Sequence, residues 1–127
     1  CYMHINRSTM KLTIINAGHP PVACLPAEGE PFLIKTDGDV LGMFKDAHFG
    51  IQHLDVNKGD KFFVYSDGLV ESADAQVTWS SGADILLPIL RQIADASHTQ
   101  APGALLEFMF KDKAMPEDDI VLLCTEV

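Results

Sequence analysis

The chain is 127 residues long, 47% hydrophobic and 21% charged, which suits one globular domain with a real core and excludes default disorder. Its 18 acidic residues outnumber 9 basic ones, a net charge of −9 that repels phosphate backbones, argues against nucleic-acid binding and leaves cations as natural partners unless the acidity merely keeps the surface soluble. No apolar run approaches the roughly 18 residues needed to cross a bilayer and no basic-then-apolar leader opens the chain; with Cys1, Cys24 and Cys124 at no metal-ligand spacing, the reading is a cytoplasmic protein with reduced cysteines.

The chain opens without an initiator methionine on an alternating pattern, residues 1–5, that reads as the inside of a strand, so we expect an excerpt of a larger protein. Residues 11–15 form a second β-type run, and the polar turn residues 6–9 make the two a hairpin. Asn16-Ala17-Gly18-His19-Pro20-Pro21 ends it, the glycine allowing a sharp turn and the prolines forcing an extended exit. Residues 22–25 and 32–35 are two further short strands around a polar turn. Asp37-Gly38-Asp39 has the look of a calcium loop but lacks the later oxygen ligands and glutamate that such a loop requires. Residues 49–56 alternate as a strand and residues 57–60 turn the chain.

Phe62-Phe63-Val64-Tyr65 is an aromatic and β-branched run that delivers Asp67 to a strand end, and Gly68 reads as a turn glycine or a point of close approach. The six or seven closely spaced strands predict an antiparallel sheet system. Beyond Asp67 the period changes. Ile85, Leu86, Ile89, Leu90 and Ile93 predict a helix over 81–96, with Ser81 and Asp84 as a capping box and Pro88 either kinking it or marking its first turn. A second helix is predicted over 102–112, with Leu105, Leu106 and Met109 on the core face and Phe108 a further candidate. The loop 116–119 precedes an apolar strand predicted over 120–124.

Two carboxylate positions therefore stand at strand ends, Asp67 after one strand and Asp118-Asp119 before another, and they meet if those strands are neighbours. Strand ends are rigid supports, and hard cations such as Mg²⁺ and Mn²⁺ take oxygen ligands, Mg²⁺ keeping several waters. On spacing alone, Asp118-Asp119 reads equally as a solvated pair that opens a strand.

The set Asn16-Ala17-Gly18-His19-Pro20-Pro21, Leu41-Gly42, Gly59-Asp60, Tyr65-Ser66-Asp67-Gly68-Leu69-Val70-Glu71 and Asp118-Asp119-Ile120 resembles, in order and spacing, the C-terminal half of bacterial SpoIIE-like and RsbU-like serine phosphatases, which are type 2C-like metal-dependent protein phosphatases. The resemblance covers essentially the whole chain. It implies an α+β fold, an antiparallel β-sandwich flanked by helices, with two Mn²⁺ or Mg²⁺ ions at one end of the complete domain. Asp67 and Asp118 match metal ligands. Gly68, Asp119, Asn16, Gly18 and His19 border the site, and no catalytic residue is implied beyond the ligands. Val121 departs from the threonine common after the aspartate pair.

The family's N-terminal half, with further acidic motifs, is not in this chain, so residues 1–127 are expected to hold part of a site and to be inactive alone. The implied reaction is hydrolysis of phosphoserine or phosphothreonine on a regulatory partner such as an anti-sigma-factor antagonist, under an upstream sensor or receiver domain, with homodimer formation left open. Two alternatives are a catalytically inactive phosphatase-like module that binds a partner protein, and a plain β-rich interaction domain.

Overall fold

The computed structural model describes residues 1–71, 83–111 and 118–127. Among these residues, seven strands form two antiparallel sheets. The first holds β1 (Tyr2–Asn6), β2 (Lys11–Asn16) and β5 (Gly50–Asp55) in the order β1-β2-β5. The second holds β3 (Val22–Leu25), β4 (Phe32–Ile34), β6 (Lys61–Tyr65) and β7 (Leu122–Glu126) in the order β4-β3-β6-β7. The opening hairpin forms as expected, Tyr2 opposite Ile15 and Asn6 opposite Lys11, and the Asn6 carboxamide closes its turn by accepting from the Ser8 and Thr9 amides.

The burial of β3 and β6 follows from what covers each face of their sheet. Successive strand residues point to opposite faces. Val22 and Cys24 of β3 and Phe62 of β6 therefore meet Leu12 and Ile14 of β2 between the sheets. Ala23, Leu25, Phe63 and Tyr65 point the other way into a second core closed by helices. With both faces covered, β3 and most of β6 read as continuous apolar runs rather than as alternation. The outer face of the first sheet carries the exposed Tyr2 and Ile51 on either side of Ile15, so among the described residues helices cover one face of the sandwich only.

Those helices are α1 (Gly68–Glu71), a 3-10 turn (Ala83–Ile85) leading into α2 (Leu86–Gln92), and α3 (Ala101–Phe110). In the first, Asp67-Gly68 leads straight into a helical turn, with Leu69 and Val70 wholly buried. The predicted 81–96 helix is shorter. Pro88 lies in the first turn of α2, where its missing N–H costs no intrahelical bond, so it marks the start rather than a kink. Ser81, the proposed capping partner, and residues 112–117 lie outside the described residues. Along α3, Ala101, Leu105 and Met109 recur at four-residue spacing on the buried face, whereas Phe108 is 44% exposed and is not a core residue. The last strand begins at Leu122, two residues later than predicted. No helix among the described residues is long and apolar enough to cross a membrane.

Candidate functional site

The two carboxylate positions lie at one end of the second sheet because β6 and β7 are antiparallel neighbours, Tyr65 standing opposite Leu122. The end of one strand is thus the beginning of the other. Asp67 leaves β6 and accepts a bond from the Gly68 amide through Oδ1 (3.1 Å), and Asp118 likewise accepts from the Asp119 amide through Oδ1 (2.8 Å). Both side chains are exposed.

Gly68 sets their proximity. A Cβ built at position 68 would lie 2.7 Å from the Asp119 carbonyl oxygen and 3.3 Å from the Asp118 Cβ. Its φ is outside the left-handed region, so the glycine serves close approach and not an unusual turn. Ser66 lies on the other side of Asp67. Its Oγ donates to the Asp119 carbonyl (3.0 Å) and accepts from the Val121 amide (2.9 Å). Sequence reading includes Ser66 in the motif that runs from Tyr65 to Glu71 but gives it no role of its own.

The crossover from β2 to β3 borders the same end. Buried Asn16 holds it from within: Oδ1 accepts from the His19 amide (2.7 Å) and Nδ2 donates to the His19 carbonyl (2.8 Å). Gly18 has φ +90, and the Val40 side chain occupies the space of its absent Cβ at 2.8 Å. The Tyr65 hydroxyl, buried, donates to the Pro21 carbonyl (2.7 Å), and the His19 ring lies 6.4 Å from the Tyr65 ring. His19 Nδ1 is 2.6 Å from the Pro20 carbonyl, an oxygen that can only accept, so Nδ1 carries the proton of the neutral ring. Burial pushes the His19 imidazole below its ordinary value; the Pro20 bond and, more weakly, the Asp67 carboxylate pull the other way. Asn16, Gly18, His19, Lys35, Thr36 and Asp37 line a cleft of about 280 Å³ that neither Asp67 nor Asp118 lines.

Asp39 takes no part in this arrangement. Its carboxylate accepts from the His48 amide (2.8 Å) and closes its own loop.

The donor set at the strand ends is two exposed carboxylates, each with one oxygen engaged by its neighbouring amide and the other free of a protein partner among the described residues. That set suits a hard, oxygen-seeking divalent cation that keeps several waters. Among the described residues no group of three or more His, Cys, Asp or Glu side chains converges, so the two aspartates fit part of such a site.

Two antiparallel sheets with helices packed on one face of the sandwich match the fold of solved type 2C-like phosphatase domains. The crystal structure of the RsbU and RsbW domains of Rv1364c from Mycobacterium tuberculosis matches 98% of this chain and 34% of its own, with a TM-score of 0.82 at 21% identity. The Mn-presoaked phosphatase domain of the cell fate determinant SpoIIE from Bacillus subtilis matches 99% of this chain and 55% of its own, with a TM-score of 0.72 at 13% identity. The chain belongs to the Stage II sporulation protein E (SpoIIE) family, whose description matches residues 1–127. Among curated proteins, Protein IcfG of Synechocystis sp. is 35% identical over 68 residues, 54% of this chain and 11% of that protein. Phosphoserine phosphatase RsbP of Bacillus subtilis is 27% identical over 70 residues, 55% of this chain and 17% of that protein. The chain thus spans a small part of either relative.

Proposed function

We propose that residues 1–127 form the C-terminal part of a metal-dependent protein phosphatase domain that acts on phosphoserine or phosphothreonine of a regulatory partner protein in the bacterial cytoplasm. Asp67 and Asp118 are its ligands to Mn²⁺ or Mg²⁺. The observation that carries this reading is the close approach of Asp118 to Gly68, the residue after Asp67, at the β6–β7 end. Membership of the SpoIIE family and the Mn-presoaked state of one structural relative support it.

When bound, such cations supply Lewis acidity that activates water and neutralises charge on a phosphoryl group. The residues of this chain do the holding. Asp67 and Asp118 offer oxygen donors on two rigid strand ends, and the net charge of −9 favours cation capture. Asn16 and Gly18 fix the crossover that puts His19 beside Tyr65 at the rim. A partner of the anti-sigma-factor-antagonist type, and a sensor or receiver module in the parent protein, fit the partner-switching role that this family reading carries.

Mn²⁺ titration tests the assignment. The complete domain is expected to bind Mn²⁺ and its Asp67→Asn variant to lose most of that binding; unchanged affinity overturns the ligand assignment. Residues 1–127 alone are expected to bind one metal weakly and not to hydrolyse an aryl phosphate. Chelator-sensitive turnover by this chain would refute the claim that it holds part of a site. A second reading is a phosphatase-like module that binds its partner without catalysis. A parent domain that binds the phosphoprotein but neither binds Mn²⁺ nor releases phosphate selects it.

A further inference from the structure

The hydrogen bonds of Ser66 depart from the ladder that contains it. In an antiparallel pair, opposite residues of a hydrogen-bonded pair exchange two backbone N–H···O=C bonds. Continuing the register one step past Tyr65 and Leu122 sets Ser66 opposite Val121, and one of the two bonds is present, from the Ser66 amide to the Val121 carbonyl (2.9 Å). The reciprocal bond is not made. The Ser66 carbonyl is diverted into the first turn of α1, where it accepts from the Leu69 amide (3.1 Å), and the Val121 amide is taken instead by the Ser66 Oγ at 2.9 Å. The side chain thus stands in for its own carbonyl. The chain can turn into α1 and present Asp67 without releasing β7.

The same oxygen donates its proton to the Asp119 carbonyl at 3.0 Å, so one hydroxyl holds two backbone groups of the segment that carries Asp118. A hydroxyl has one donor and two acceptor sites, and this position uses the donor and one acceptor. Gly68, on the far side of Asp67, lets that segment approach, and Ser66 ties it there.

We propose that Ser66 is the positioning residue of the metal site, setting the separation of the Asp67 and Asp118 carboxylates and through it the affinity for the cation. The inference rests on the assignment of those aspartates as ligands. It assigns Ser66 no contact with metal or substrate. Partners that orient metal ligands typically carry about 10- to 100-fold in metal affinity. At position 66 only threonine keeps a hydroxyl on Cβ, while valine matches threonine in shape without it.

The test compares Ser66→Thr with Ser66→Val, alongside Ser66→Ala and Asp67→Asn, in the complete domain, reading Mn²⁺ affinity by titration of free Mn²⁺ and folding by circular dichroism and thermal unfolding. Threonine is expected to keep wild-type affinity, and valine and alanine to lose about 10- to 100-fold with the fold intact. Equal affinity of the threonine and valine variants overturns the proposal, as does a loss that merely follows the unfolded fraction. If Asp67→Asn binds as wild type does, the ligand assignment itself falls and takes the proposal with it. If Asp67→Asn abolishes binding while Ser66→Val keeps it, the ligand assignment stands and the role of Ser66 alone fails.

Discussion

A methyl group at position 68 would sit 2.7 Å from the Asp119 carbonyl oxygen, and that atom is backbone that no rotamer change can move aside. Gly68→Ala is therefore expected to push the Asp118-Asp119 segment away and to cost about 1–3 kcal/mol, the usual range for overpacking, read by urea unfolding. Unaltered stability would show that the segment yields freely. From sequence, a glycine after Asp67 invites either a turn or a close approach, and nothing local separates the two because the atom it avoids lies on another strand. Gly18 differs. Its φ of +90 and the Val40 side chain against it make its need both conformational and spatial, and the Pro-rich turn around it made the first of these legible. Asp60 is a third case: buried, it accepts from the Asn57 and Ala27 amides and so holds the turn before β6, although the sequence shows only a turn signal.

At the scale of elements, strands with unmistakable apolar runs fall where the residues predict them, and ambiguous boundaries move. Ile120 and Val121 look like strand interior, yet the described ladder begins at Leu122, because the step before it is completed by a serine hydroxyl and not by regular backbone exchange. In α3 the four-residue spacing of Ala101, Leu105 and Met109 defines the buried face. Phe108 is apolar, but its angular position turns it to solvent. Leu105→Ala is accordingly expected to lose about 2–5 kcal/mol in denaturant unfolding. Phe108→Ser should cost less than about 1 kcal/mol. A comparable loss from both would mean that α3 packs on a different face.

For the molecule as a whole, the two cores on either side of the second sheet make a prediction about its cysteines. Burial pushes the Cys24 thiol up to about 12 and the Cys124 thiol up to about 11, while Cys1 is exposed. A raised thiol pKa leaves little thiolate at pH 8, and the thiolate is the form that alkylates. Brief iodoacetamide treatment of the native protein should label Cys1 alone, and all three cysteines after denaturation, as read by peptide mass spectrometry. Native labelling of Cys24 would contradict its place between the sheets. The odd cysteine count and the lack of ligand spacing already pointed away from a disulfide framework, but which thiols are sheltered depends on the packing.

The residues alone determined the antiparallel strands, the hairpin, the turn at Asn16 to Pro21 and the order of motifs that marks the SpoIIE family, because each depends on neighbours within a few positions: side-chain alternation, turn chemistry and backbone restriction. They also brought Asp67 and Asp118 forward as a pair conditional on two strands being adjacent. The tertiary structure decided that condition. Ser66 and Asp119 are 53 residues apart and are joined by β6–β7 pairing, a hydroxyl that replaces a backbone carbonyl, and the space left by a glycine. Such contacts arise from which surfaces bury each other in the folded chain, and no short-range pattern encodes the partner that a hydrogen-bonding group will find across a sheet.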